Sequence, residues 1–150
     1  MSVIGKIGII NHGNNCYLNS ALQFLSQAFK ANQELLKYKD SSTIYSFFVP
    51  FIINKWSNTS IDIYNPTNIK FLIAKKNRQF FNNNQQDSHE FLVCLMDVME
   101  NKTIKTFFDS KILSIIKCNK CSLISHTRQS IRFVSLSIND NVCDLTSSFR

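Results

Sequence analysis

The sequence predicts an α+β protein, with a helical lobe over residues 1–105 followed by the start of a β region over residues 106–150. Three patterns carry this reading. Four stretches before residue 101 have the marks of helices, the fourth opens on a capping signature, and beyond Lys102 the composition turns to Ile, Ser, Thr and Phe.

The first helix is expected from about Cys16 to Lys30, because Tyr17, Leu18, Ala21, Leu22, Leu25 and Phe29 fall on one face at helical spacing. Thr43 to Trp56 forms a second helical segment, in which Pro50 is expected to start or kink one part. A third runs from Pro66 to Lys76, since proline suits a first turn and Ile69, Leu72 and Ile73 repeat suitably. Asp87 opens the fourth. Glu90 follows three residues later, as in a capping box, and Phe91, Leu92, Leu95, Val98 and Met99 form the apolar face. β-Branched enrichment then places strands at about Lys111–Lys117 and Leu123–Ile138. Apolar parity shifts between Phe133 and Val134, where a bulge or a change of facing is expected.

A chain of 150 residues supports one compact domain burying about 70% of the surface its unfolded form exposes. With 44% apolar and 18% charged residues it is expected to fold. The apolar stretch at the amino terminus is too short and interrupted for a secretory signal. The longest apolar run, Phe47 to Ile53, contains Pro50 and falls far short of the roughly 20 residues a membrane span needs. Five cysteines, an odd number, argue against a disulfide framework. A soluble intracellular protein of the cytoplasm or nucleus follows, with reduced thiols and no membrane partner.

The net charge of +7 raises the question of nucleic acid. Residues 1–86 carry nine Lys or Arg against three acids, and residues 102–150 carry eight against three. Asp87, Glu90, Asp97 and Glu100 form an acidic island between them. Only Lys75, Lys76 and Arg78 cluster, which is weaker than the basic stripe of a nucleic-acid reader. No nucleic-acid partner is expected.

The chemistry concentrates in Gly8 to Leu25, GIINHGNNCYLNSALQFL, where a Gly- and Asn-rich loop leads to a cysteine at the start of an amphipathic helix. Open amides and the dipole at a helix amino terminus favour a thiolate, and Gly8, Gly13, Asn11 or Asn14 suit a loop that approaches an oxyanion. A cysteine near a helix start is also a common structural residue, and the residues alone leave both readings open.

This segment resembles the cysteine box of the ubiquitin-specific proteases through Gly8, Asn11, Gly13, Asn14, Cys16, Tyr17, Asn19, Ser20, Leu22 and Gln23. QQDSHEFL, Gln85 to Leu92, resembles the family's second box, and the likeness continues through Cys118, Cys121 and the following SLSI. The resemblance implies a papain-like cysteine protease fold, represented here by the helical thumb lobe and the start of the β fingers and palm. It implies a deubiquitinase in which Cys16 is the nucleophile attacking the carbonyl after ubiquitin's last glycine, and Asn11 stabilises the oxyanion. Gln85, Asp87 and Glu90 would line the channel for ubiquitin's basic tail, although Asp87 and Glu90 would also cap a helix in any protein. The implied partner is ubiquitin or a ubiquitinated protein.

Two positions depart from the family pattern. Asn15 stands where Thr is usual, and His12 where a non-basic residue is more common. The family's base lies in a downstream Gly-His-Tyr segment, and no Gly-His pair occurs here. His12, His89 and His126 are weak substitutes. Cys118 and Cys121 have zinc-knuckle spacing, but a structural zinc site needs four ligands and only Cys143 and His126 remain as additions. No cofactor is expected for catalysis, and zinc only with a second ligand pair. Besides the hydrolase, two readings stay open: an inactive ubiquitin-binding scaffold, and a small zinc-dependent nucleic-acid module.

Overall fold

A sixteen-residue helix with a continuous apolar stripe must bury that stripe, and the rest of the lobe is arranged around it. The computed structural model describes residues 4–31, 43–57, 63–136 and 144–148. They divide into two compact units, Met1–Ile104 and Lys105–Arg150. In the first unit the order is β1 (Gly8–Ile9), α1 (Cys16–Ala31), α2 (Thr43–Trp56), β2 (Ile63–Tyr64), α3 (Thr67–Lys76), a 3-10 turn (Arg78–Phe81) and α4 (Ser88–Val98). Helix α5 (Lys102–Phe108) crosses the junction, and β3 (Ser110–Lys117), β4 (Ile124–Ile131) and α6 (Leu145–Ser148) belong to the second unit.

Tyr17, Leu18, Ala21, Leu22, Leu25 and Phe29 of α1 are all buried, as their spacing predicts. The helix packs against α2 and α4. Tyr17 lies between Phe80 and Phe91, with ring centroids 5.8 and 5.4 Å away, and Phe80 meets Phe91 edge-on at 5.2 Å. Such aromatic pairs add about 0.5–1.5 kcal/mol each beyond their buried area. They tie the start of α1 to the 3-10 turn and to α4.

Helix α2 runs unbroken through Pro50. Pro50 and Ser46, whose carbonyl is deprived of the amide partner a proline cannot supply, are both exposed, so the interruption falls on the solvent face of the helix. Lys55, on the same helix, is only 4% exposed. Its ammonium donates to Gln23 Oε1 and to Ser26 Oγ at 2.7 Å, and burial, with Lys30 nearby, pushes its pKa down. Gly5 adopts φ +88°, and a Cβ there would meet the Trp56 ring at 2.7 Å. Only glycine satisfies both conditions.

Strands β1 and β2 pair in parallel, Gly8 with Ile63 and Ile9 with Tyr64, and the Ile10 amide extends the ladder to Tyr64 O at 2.9 Å. This short pairing fixes the entry to the loop before α1. Pro66 precedes α3 rather than lying in it, and Asn65 Oδ1 accepts the Thr67 amide at 3.0 Å. Asp87 caps α4 as expected, its Oδ1 accepting the Glu90 amide at 2.9 Å.

In the second unit β3 and β4 form an antiparallel hairpin in register from Ser110↔Ile131 to Lys117↔Ile124. The second strand is shorter than its composition suggests. It stops at Ile131 because β3 supplies no partner beyond Ser110, and residues 132–136 form no strand. The expected bulge at Phe133–Val134 is therefore absent, and the remainder of that expected strand, residues 137 and 138, lies outside the described residues. Arg132 Nε reaches Asp109 Oδ1 at 2.6 Å at the base of the hairpin, holding the Asp109 carboxyl below the usual range.

Candidate active site

The loop between β1 and α1 turns on two consecutive left-handed residues, Gly13 at φ +90° and Asn14 at φ +48°. Glycine takes such a conformation freely, and asparagine tolerates it better than most side chains. Asn11 closes the turn, its Oδ1 accepting the Gly13 amide at 3.1 Å and the Asn15 amide at 3.0 Å. With that oxygen engaged by backbone, Nδ2 remains as the donor of an exposed side chain. Asn15 is 2% exposed and its carbonyl accepts the Asn19 amide at 3.0 Å, which makes it the residue that caps the entry to α1. Cys16 follows as the first helical residue, with its thiol exposed.

Several side chains of this segment hold strand to helix. Asn19 Nδ2 donates to the carbonyls of Ile9 and Ile10 at 3.3 and 3.4 Å, and Gln23 Nε2 to that of Ile7 at 3.1 Å. Long-range bonds brace the loop from outside. Lys70 Nζ donates to Asn15 Oδ1 at 3.0 Å, Asn82 O at 3.1 Å and Asn83 Oδ1 at 3.1 Å. Asn14 Nδ2 donates to Asn83 O at 2.9 Å. Partial burial lowers the pKa of Lys70. Among the described residues the buried Tyr17 hydroxyl has no hydrogen-bond partner, and burial, together with the neighbouring Cys16, raises its pKa.

Gln85, Asp87 and Glu90 are all exposed around the start of α4. Gln86 turns inward instead, donating to Gln79 O at 3.1 Å and Asn82 Oδ1 at 3.2 Å. The amides of Glu90 and then His89 lower the pKa of Asp87. Between α1 and α4 lies an apolar groove of about 250 Å³ lined by Ser20, Ala21, Phe24, Ser88, His89 and Leu92. The three histidines are dispersed: His12 Nε2 sits 3.2 Å from Asn65 Oδ1, His89 lines this groove, and His126 faces Ile115 across the hairpin.

Cys118 and Cys121 occupy the hairpin turn, where the Cys118 amide donates to Leu123 O at 2.8 Å and the Ser122 amide to Cys118 O at 3.0 Å. Ser122 takes φ +58° to close it. The amides of Cys121 and Lys120 and the Cys121 thiol all donate to Cys118 sulfur, lowering its pKa. This is the donor set of half a tetrahedral thiolate site. Among the described residues no group of three or more His, Cys, Asp or Glu is placed to share a metal, and Cys143 lies outside them.

Lys70, Asn82 and Asn83 are the site-organising residues that the sequence reading missed. A signal existed for Lys70. It lies one turn before buried Ala74, so its stem borders the packed face of α3.

Residues 7–138 match the family described as ubiquitin carboxyl-terminal hydrolase. The chain belongs to the ubiquitin carboxyl-terminal hydrolase family. Ubiquitin carboxyl-terminal hydrolase 14 of Saccharomyces cerevisiae is 25% identical over 162 residues, covering 89% of this chain and 20% of the yeast protein. Ubiquitin carboxyl-terminal hydrolase 2 of Bos taurus is 31% identical over 111 residues, covering 67% of this chain and 18% of its own length. The Homo sapiens protein of the same name is 30% identical with the same coverage. This hydrolase-family chain thus spans about a fifth of the length of the relatives it matches. Among the described residues no helix is long and apolar enough to cross a membrane.

Proposed function

We propose that the chain is the thumb lobe and first finger hairpin of a papain-like, ubiquitin-specific cysteine hydrolase. The observation that supports this best is Cys16 at the first residue of α1, exposed behind a loop that Asn11 closes through its carbonyl oxygen. In this reading the Cys16 thiolate attacks the carbonyl carbon after ubiquitin's terminal glycine. A C–S bond forms, the C–N bond to the substrate amine breaks as that nitrogen takes up a proton, water then hydrolyses the thioester to the carboxylate and frees the thiolate, and Asn11 Nδ2 donates to the oxygen that carries the developing charge. Gln85, Asp87 and Glu90 meet the basic tail, carboxylate to guanidinium. Cys118 and Cys121 supply two thiolates of a structural zinc site whose other pair must come from elsewhere. The setting is cytoplasmic or nuclear, where thiols stay reduced.

A second reading takes the lobe as a scaffold of the same family. The lobe would then bind ubiquitin without turnover. A ubiquitin bearing a carboxy-terminal electrophile separates the two. Labelling at Cys16 that disappears in Cys16→Ser supports the hydrolase, binding without labelling supports the scaffold, and indifference to ubiquitin sinks both.

A further inference from the structure

We propose that Lys70 keeps the first turn of α1 open to negative charge by holding the Asn15 side chain away from it. Asparagine is among the strongest N-cap residues because its side-chain oxygen accepts an amide of the first turn. Asp87 does this for α4, taking the Glu90 amide at 2.9 Å. Asn15 stands in the equivalent place on α1, with its carbonyl accepting the Asn19 amide. Its Oδ1, however, accepts from Lys70 Nζ at 3.0 Å and is drawn toward α3. Among the described residues no amide of Cys16, Tyr17 or Leu18 donates to that oxygen, and Asn11 takes the amides of Gly13 and Asn15 instead. The amides at the start of α1 remain available to an anion, and Cys16 is the residue there.

The hold is well built. An ammonium has three N–H donors, and Lys70 finds three acceptors, Asn15 Oδ1, Asn82 O and Asn83 Oδ1. The Asn14 bond to Asn83 O draws the same two segments together. Asn15 is 2% exposed, so without Lys70 its oxygen gains no water in exchange. The donors that cap geometry brings within its reach are then the amides of Tyr17 and Leu18. Asn15 would cap its own helix, and the side chain and the thiolate would compete for the same N–H groups. Lys70 is thus a positioning residue, acting on Cys16 through Asn15 and touching no reacting atom.

The inference rests on Cys16 being the nucleophile, but its test needs no ubiquitin. Iodoacetamide alkylation of the intact 150-residue chain at neutral pH, followed by peptide mass spectrometry, reads each thiol separately. Lys70→Met is expected to slow Cys16 by about fivefold, the equilibrium weight of one capping bond, with Cys94 and Cys118 unchanged. Adding Asn15→Ala removes the competing cap and is expected to restore Cys16 to within roughly twofold of Asn15→Ala alone. Lys70→Gln is read by the same comparison if Lys70→Met loses helix content. A Cys16 rate in Lys70→Met equal to the parent's, a double variant no faster than Lys70→Met, or a slowing accompanied by faster Cys94 modification overturns the proposal. Success here in a chain that ignores a ubiquitin electrophile refutes the ubiquitin reading alone; failure here in a chain that the electrophile labels refutes the Lys70 inference alone.

Discussion

The Asp87 carboxylate accepts the Glu90 amide at 2.9 Å, so one acidic residue of the second box is first of all the cap of the helix behind it. The bond holds the Asp87 pKa below its usual 3.8. A carboxyl with a depressed folded value contributes stability that is complete above the unfolded value and lost as pH falls through the folded one. Asp87→Asn keeps an acceptor, whereas Asp87→Ala removes it. The expected outcome at neutral pH is a thermal midpoint lower for Asp87→Ala than for Asp87→Asn, with the parent above both, and a parental advantage over Asp87→Asn that fades as pH falls below 3.8.

Tyr64 provides the alkaline counterpart. Its hydroxyl donates to Phe47 O at 2.8 Å, and burial pushes its pKa from 10.0 up to about 12. Here the stability is present below the unfolded value of 10.0 and declines as pH rises toward 12, because the unfolded phenol ionises first. After discounting for its partial exposure, the loss amounts to roughly 1–2 kcal/mol. Tyr64→Phe should cost about 1 kcal/mol at neutral pH and flatten the denaturant-midpoint profile between 10 and 12. A variant profile as steep as the parent's would contradict this.

Gly5 offers a test with a built-in reporter. Its φ of +88° and the 2.7 Å approach of a virtual Cβ to Trp56 make Gly5→Ala both strained and crowded. The expected loss is about 2 kcal/mol. Trp56 is the one tryptophan of the chain, so its emission should shift to the red at a lower denaturant concentration.

Asn11 can be separated into its two functions. Asn11→Asp retains the oxygen that accepts the Gly13 and Asn15 amides but removes the amide donor. On the proposed mechanism the melting temperature should hold while affinity for ubiquitin carboxy-terminal aldehyde, which forms a hemithioacetal at Cys16, falls by roughly a hundredfold or more. Equal losses in both measurements would reduce Asn11 to a loop brace.

The contrast between legible and illegible parts follows the range of the interactions. Helices α1 and α4 were readable because the apolar spacing of Tyr17 to Phe29 and the Asp87 cap are local signals. Helix α5 was not: Lys102 to Phe108 is rich in β-branched and aromatic residues. What makes it helical is the Asn101 side chain accepting the Ile104 amide at 2.9 Å together with the burial of Ile104. The β4 reading ran too long because residues 133–138 look like a strand while their pairing is decided by where β3 begins. In the site, Cys16 and Asn11 stood out as a motif. The bond from Lys70 to Asn15, 55 positions apart, left only a weak local trace.

That separation has a temporal consequence. The loop in front of Cys16 draws on Asn65, 53 residues after His12, and on Asn83, 69 residues after Asn14. On a ribosome adding about 5–20 residues per second, the cysteine emerges several seconds before the segments that shape its surroundings. During that interval it is an ordinary thiol on an unfinished chain. The hydrogen bonds that brace the loop are completed only when the Asn82–Asn83 segment arrives, so early termination upstream of it would yield a chain with the cysteine but without that bracing.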